Sequence, residues 1–139
     1  MFLLDERLNN DSIIVGDFPL CRLLLKNDKN YPWFILVPRR EGVTEIFNLS
    51  SEDQQQLLVE MSVFSELLKT LFKADKMNIG ALGNMVSQLH IHVIARAKTD
   101  ATWPQSVWDK LPAKPYTNHE IEVIKEQLKS VMPTDFLFK

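Results

Sequence analysis

Two of the chain's three histidines, His90 and His92, stand two residues apart, and Gln88 precedes them by the same step. In a strand side chains alternate faces, so Gln88, His90 and His92 point one way while Leu89, Ile91 and Val93 point the other. Cα atoms on such a face are spaced by roughly 6.6–6.8 Å, which lets two imidazoles flank one phosphate-sized group. An unperturbed imidazole has a pKa near 6.5, so roughly three quarters of it is neutral and nucleophilic at neutral pH. Placing two imidazoles and an amide amid Ile, Leu and Val costs desolvation unless partners satisfy them. The arrangement asks for a function.

Other readings of the same residues stand beside that one. A histidine on a strand is commonly a surface group or a hydrogen-bonded core residue. His-x-His is also a common pair of zinc ligands, but a metal site needs a third protein ligand. His119 lies at a predicted helix start and Cys21 opens an apolar run, which leaves Asp or Glu to complete such a site. A serine or cysteine nucleophile lacks an elbow motif such as G-x-S-x-G. The phosphate-cradling G-x-x-x-x-G-K-[ST] loop is absent as well. Cys21, the single cysteine, reads as a small buried hydrophobe rather than a reactive thiol, and one cysteine admits no intramolecular disulfide.

Those side chains must be positioned by the elements around them. Residues 12–16 and 21–26 read as two short strands around the turn Asp17-Phe18-Pro19, and 33–37 is a continuous apolar run stopped by Pro38, suited to a strand covered on both faces. The clearest helix spans 51–73. Leu57, Met61, Phe64, Leu68 and Leu71 form one apolar stripe, and Ser50 with Asp53, or Ser51 with Gln54, supplies a capping start. Residues 77–82 and 88–95 are two further β-like runs. A second helix starts at Thr117, with Glu120 three residues on, carries Ile121, Ile124, Leu128 and Val131, and ends at Pro133. Strands in blocks rather than strict β-α alternation predict an α+β fold with a mostly antiparallel sheet of about five strands, one long helix and a C-terminal helix.

The bulk numbers narrow the partners. The 139 residues show no repeat or long linker and read as one domain, 1–139. With 45% hydrophobic and 24% charged residues and a net charge of −2, the composition is that of a soluble globular protein. It carries no electrostatic footprint for nucleic acid or for an anionic membrane, while a small phosphorylated ligand needs only a few local donors. The apolar stretch at the N-terminus is four residues long and followed by acids, so it reads as neither signal peptide nor membrane span, and a cytoplasmic location is expected.

The stretch Leu82-Gly83-Asn84-Met85-Val86-Ser87-Gln88-Leu89-His90-Ile91-His92-Val93-Ile94-Ala95-Arg96 resembles the signature of the histidine triad (HIT) superfamily of nucleotidyl hydrolases and transferases, His-φ-His-φ-His-φ-φ with φ apolar. Trp33-Phe34-Ile35-Leu36-Val37-Pro38-Arg39-Arg40 resembles the strand that precedes that family's long helix, and the likeness covers roughly residues 20 to 110. The family's first histidine is Gln88 here, as in a bacterial branch of HIT-like hydrolases. The resemblance implies a HIT-like fold, a nucleophile at His90 and a contact to phosphate oxygens at His92. It further implies hydrolysis or transfer at the α-phosphate of nucleoside phosphoramidates or dinucleoside polyphosphates through a nucleotidyl-His90 intermediate. Gln88 can donate and accept hydrogen bonds but carries no proton, so it can orient the site or the leaving group without acting as an acid. The alternative is a purine-nucleotide-binding module with little or no catalysis.

Secondary candidates follow from the same likeness. Asn84 lies in the loop feeding the histidine strand, where the family gathers phosphate contacts. Asn27, with Asp28 as the fallback, occupies the polar turn where family members bind ribose. Both positions also suit ordinary turn chemistry. Arg96 can neutralise phosphate, although one arginine at a strand end is more often solvated. Trp103-Pro104 and Trp108 resemble an aromatic segment lying near the partner's site in dimers, or serve as a hydrophobic anchor. A homodimer through sheet and helix contacts, a nucleotide substrate, and no metal or other cofactor complete what the resemblance implies.

Overall fold

Three β-rich runs lie close in sequence, and short polar turns let them fold back on one another. In the computed structural model, which describes residues 1–139, they form β1 (Ser12–Asp17), β2 (Cys21–Lys26) and β3 (Trp33–Pro38). The chain then crosses through a 3₁₀ turn (Ile46–Asn48) and α2 (Ser51–Leu71) to β4 (Lys76–Gly80) and β5 (Ile91–Arg96). A short α1 (Glu6–Asn10) precedes β1, and α3 (Asn118–Lys129) and the two-residue β6 (Leu137–Phe138) follow. The six strands make one antiparallel sheet in the order β4-β5-β3-β2-β1-β6. The α+β architecture with a mostly antiparallel sheet is therefore the observed one, and β6 is the strand beyond the expected five. Gly16 admits it, since a Cβ there would collide with the Leu137 carbonyl.

Both helix starts sit where the side chains provide caps. Ser50 Oγ accepts the Asp53 N–H at 3.1 Å, and Thr117 with Glu120 forms a reciprocal capping box. Leu57, Phe64 and Leu68 of α2 are buried, with Met61 and Leu71 packed against the same core. Glu60 is buried on that face too, where its carboxylate accepts the Leu20 and Cys21 N–H groups and the Gln56 amide.

The sheet is covered on both faces. Val15, Leu23, Leu25, Phe34, Leu36, Ile91 and Val93 join α2 and Leu128 of α3 in one core. Leu24, Trp33, Ile35, Val37 and Ile94 face the other way, against Leu8 of α1 and Val107 of the irregular segment before α3. This second layer has no long helix over it, and the gap it leaves becomes the site. No helix is long and apolar enough to cross a membrane.

The histidine strand begins later than its alternation suggests. Pairing of β5 with β3 starts at Ile91 opposite Leu36, so Gln88, Leu89 and His90 lead into the strand without belonging to it. The period-2 pattern continues three residues upstream of the hydrogen-bonded ladder.

Candidate active site

His92 is fixed by the sheet. It lies opposite Ile35 in the β3–β5 pairing, on the face shared with Trp33 and Ile94. His90 enters from the lead-in segment, and its ring centroid lies 5.0 Å from that of His92. Both are largely buried, and both border a cavity of about 420 Å³. The walls come from α1 and the start of β1, from the β2–β3 turn, from the 82–86 loop and from the 107–113 segment. In that loop Gly83 turns with φ +74°, a conformation that favours glycine.

Hydrogen bonds fix the tautomer of each ring. His90 Nδ1 lies 2.7 Å from the Gln88 carbonyl oxygen, which only accepts, so Nδ1 carries a proton and Nε2 is the nitrogen whose lone pair is available in the neutral ring. His92 Nδ1 lies 2.9 Å from Trp33 Nε1, and an indole N–H only donates. Burial, with contributions from His90 and Lys26, pulls the His92 pKa from 6.5 down to about 3. The two imidazoles thus meet the cavity as an acceptor and a neutral ring.

That neutral ring has a measurable consequence. Between about 3 and 6.5 the unfolded chain binds a proton at this position that the folded chain refuses, so the fold is at full stability above that window and loses stability as pH falls through it. His92→Gln is expected to flatten the acid side of the stability profile by up to about 1.4 kcal/mol per pH unit. Urea unfolding at a series of pH values checks this, and identical slopes for both proteins would refute it.

A model of the HIT domain matches residues 7–99. The chain belongs to the HIT family. A histidine triad protein from Marinobacter aquaeolei VT8 is 49% identical, with a TM-score of 0.92 over 94% of this chain and 96% of that one. Histidine triad proteins from Bradyrhizobium japonicum and Sinorhizobium meliloti 1021 are each 42% identical, with a TM-score of 0.92 over 95% of this chain and 98% of theirs. No curated protein matches the chain. The HIT family is one of nucleotide-binding and hydrolase domains.

Within this HIT domain the Gln88 carboxamide is turned away from the large cavity. Gln88 Oε1 accepts the Asp5 N–H and its Nε2 donates to the Leu3 carbonyl, each at 2.8 Å. The carboxamide therefore pins the N-terminal arm, and Gln88 reaches the histidines through its backbone carbonyl. Asn84 borders the cavity and is exposed. Asn27 does not border it, because its Oδ1 accepts the Tyr116 N–H at 2.8 Å. Its neighbour Asp28 does, with Oδ1 accepting backbone N–H groups of Asn30 and Lys114. Arg96 is not solvated but 1% exposed, bound to Asp100 away from the cavity. Trp103 stacks near that guanidinium, whereas Trp108 borders the chain's own cavity with its ring 5.5 Å from His92.

Four contributors to this HIT site carry no signal in the sequence. Trp33 looked like one more apolar residue of a strand, although it shares the parity of the cavity-facing side chains. Lys26, with Nζ 4.9 Å from the Trp33 ring centroid, borders the cavity, as do Arg7 and Asp11 beside α1. The arm that brings them is held by Gln88 from more than eighty residues away, so no local pattern announces it. No group of three or more His, Cys, Asp or Glu side chains is arranged to hold a metal ion.

Proposed function

We propose that the chain is a nucleotide hydrolase or nucleotidyl transferase acting at the α-phosphate of nucleoside phosphoramidates or dinucleoside polyphosphates, with His90 Nε2 as the nucleophile. The observation that carries this reading is the bond from His90 Nδ1 to the Gln88 carbonyl, which leaves Nε2 basic beside a cavity of nucleotide size. Attack forms a P–N bond as the bond to the leaving group breaks, and water later cleaves the nucleotidyl-His90 adduct. His92 donates its N–H to phosphoryl oxygens as charge moves onto them. Asn84 serves the phosphates from the 82–86 loop, and Asp28, in place of Asn27, is the acceptor for ribose hydroxyls. Mass spectrometry of the protein quenched during turnover of diadenosine triphosphate tests the reading. A nucleotidyl adduct on His90 supports it, whereas micromolar nucleotide binding with neither adduct nor turnover favours a binding module.

We also propose a homodimer through β4 and α2. β4 is an edge strand with one side of its backbone unpaired, and Ile79, Leu58, Val59 and Val63 are exposed apolar residues on these two elements. Sedimentation is expected to give twice the 16.1 kDa chain mass, reduced to one chain by the double change Leu58→Glu and Val59→Glu. A wild-type monomer at all concentrations would count against it.

A further inference from the structure

Two constraints meet at His92. While the Trp33 indole N–H is bonded to Nδ1 at 2.9 Å, the ring's single hydrogen must sit on Nε2. A second proton would have to displace the indole. It would also put charge on a ring whose centroid lies 5.0 Å from that of His90, on the side of the cavity where the Lys26 ammonium lies over Trp33. Trp33 is itself nearly inaccessible, held on β3 between Tyr31 and Trp108, so the donor does not swing aside easily.

The rest of the cavity supplies no imidazolium either. Gln88 carries no proton to give, and its carboxamide is already bonded to Leu3 and Asp5. The charged groups bordering the cavity are Arg7 and Asp11 from the N-terminal arm, Lys26 at the end of β2, Asp28 from the β2–β3 turn, and Asp109 from the 107–113 segment. A guanidinium does not give up its proton, carboxylates are acceptors, and Lys26 is drawn to the indole face.

We propose that Trp33 is a positioning residue that holds His92 as its Nε2–H tautomer, and that the site in consequence takes phosphoric anhydrides and discriminates against phosphoramidates of alkylamines. The inference rests on the nucleotidyl-transfer reading above. With an anhydride, the His90 Nε2 lone pair forms the N–P bond while the P–O bond to the bridging oxygen breaks. The electron pair leaves on a phosphate oxygen, a stable anion that needs no proton, and the His92 Nε2–H donates to a non-bridging oxygen. Water then forms the new P–O bond, the N–P pair returns to Nε2, and the water's proton passes to solvent. With an alkyl phosphoramidate the departing pair would be left on an amine nitrogen, too basic to leave unless an acid protonates it.

A positioned general acid contributes roughly 10²- to 10⁴-fold, so its absence sets the expected discrimination. At neutral pH, kcat/KM for diadenosine triphosphate is expected to exceed that for adenosine 5′-(N-propyl)phosphoramidate by at least about 10²-fold, and likewise for the guanosine pair. Two-bond ¹H–¹⁵N spectra of the full chain should show His92 as the Nε2–H tautomer. Trp33→Phe keeps an aromatic ring and removes the donor. It should abolish that tautomer bias, narrow the gap between the substrates and bring in an acid-side optimum for the phosphoramidate. Equal kcat/KM for both substrates with a nucleotidyl-His90 adduct present would overturn the leaving-group inference while sparing the underlying reaction. Failure of both substrates to turn over or form an adduct would overturn the underlying reaction and the leaving-group inference with it. A wild-type spectrum with His92 protonated on Nδ1 would overturn the role of Trp33, and needs neither turnover nor a folded variant.

Discussion

His90→Ala is expected to eliminate nucleotide turnover, with kcat falling on the order of 10⁴- to 10⁶-fold, the scale of loss when a member of a nucleophilic unit is removed. The expectation follows from the absence of a substitute. His92 is hydrogen-bonded through Nδ1 and carries its proton on Nε2, so it has no free lone pair to attack phosphorus. Burial, reinforced by Glu60, drives the Cys21 thiol far above the usual range, and the residue lies in the core under α2, away from the cavity. Water remains, at the rate that binding and the His92 donor alone sustain. The fold should survive, because the imidazole makes one hydrogen bond, to a carbonyl, and losing such a bond costs about 1 kcal/mol. Initial rates on diadenosine triphosphate, a search for the covalent adduct and a thermal melt on one preparation decide the matter. Turnover near the wild-type rate by a folded variant would end the nucleophile assignment.

The parts of the molecule legible in the sequence are those whose information is local. The stripe from Leu57 to Leu71 and the Thr117–Glu120 box are complete within a few turns of chain, and α2 and α3 start where those signals put them. His90 and His92 share the cavity because the two-residue alternation, which runs on through the lead-in to β5, is also local. What escaped reading depends on distant partners. Gln88 keeps the strand's parity, yet its amide is taken by Leu3 and Asp5, and a period-2 pattern says nothing about where a ladder of hydrogen bonds begins. Asn27 and Asp28 are equivalent as turn residues. Only the docking of the segment before α3 sends one to the Tyr116 N–H and leaves the other at the cavity. Trp33 is the instructive case, since an indole counts as apolar in any run although its single N–H must find an acceptor when buried. That acceptor turned out to be His92.

Arg96→Ala is expected to be the most destabilising single change outside the hydrophobic core, costing about 3–5 kcal/mol, the usual result of removing one partner of a buried ion pair. The guanidinium is 1% exposed and its donors are committed: Nε and Nη2 to the two Asp100 oxygens at 2.7 and 3.1 Å, Nη1 to Asn78 Oδ1 at 2.9 Å. The rings of Tyr31 and Trp103 lie 5.5 and 5.7 Å from its central carbon. Burial alone would raise the Asp100 pKa, but Arg96, with the Ala97 and Thr102 N–H groups, holds it below the ordinary carboxylate value. Alanine at 96 would strand that carboxylate and the Asn78 amide together. Arg96→Lys should recover only part of the loss, since an ammonium cannot serve both Asp100 oxygens in the same fork. Because Asp100 also accepts the Thr102 and Trp103 N–H groups, the knot fixes the start of the segment that runs on to Val107 and Trp108 in the cavity wall. Loss of Arg96 should therefore raise KM for nucleotide at temperatures where the variant is still folded. Urea unfolding gives the stability loss, and a double-mutant cycle with Asp100→Ala isolates the pair. A loss below about 1 kcal/mol, the scale of an exposed ion pair, would show that solvent replaces the guanidinium and that the knot does not hold the cavity wall.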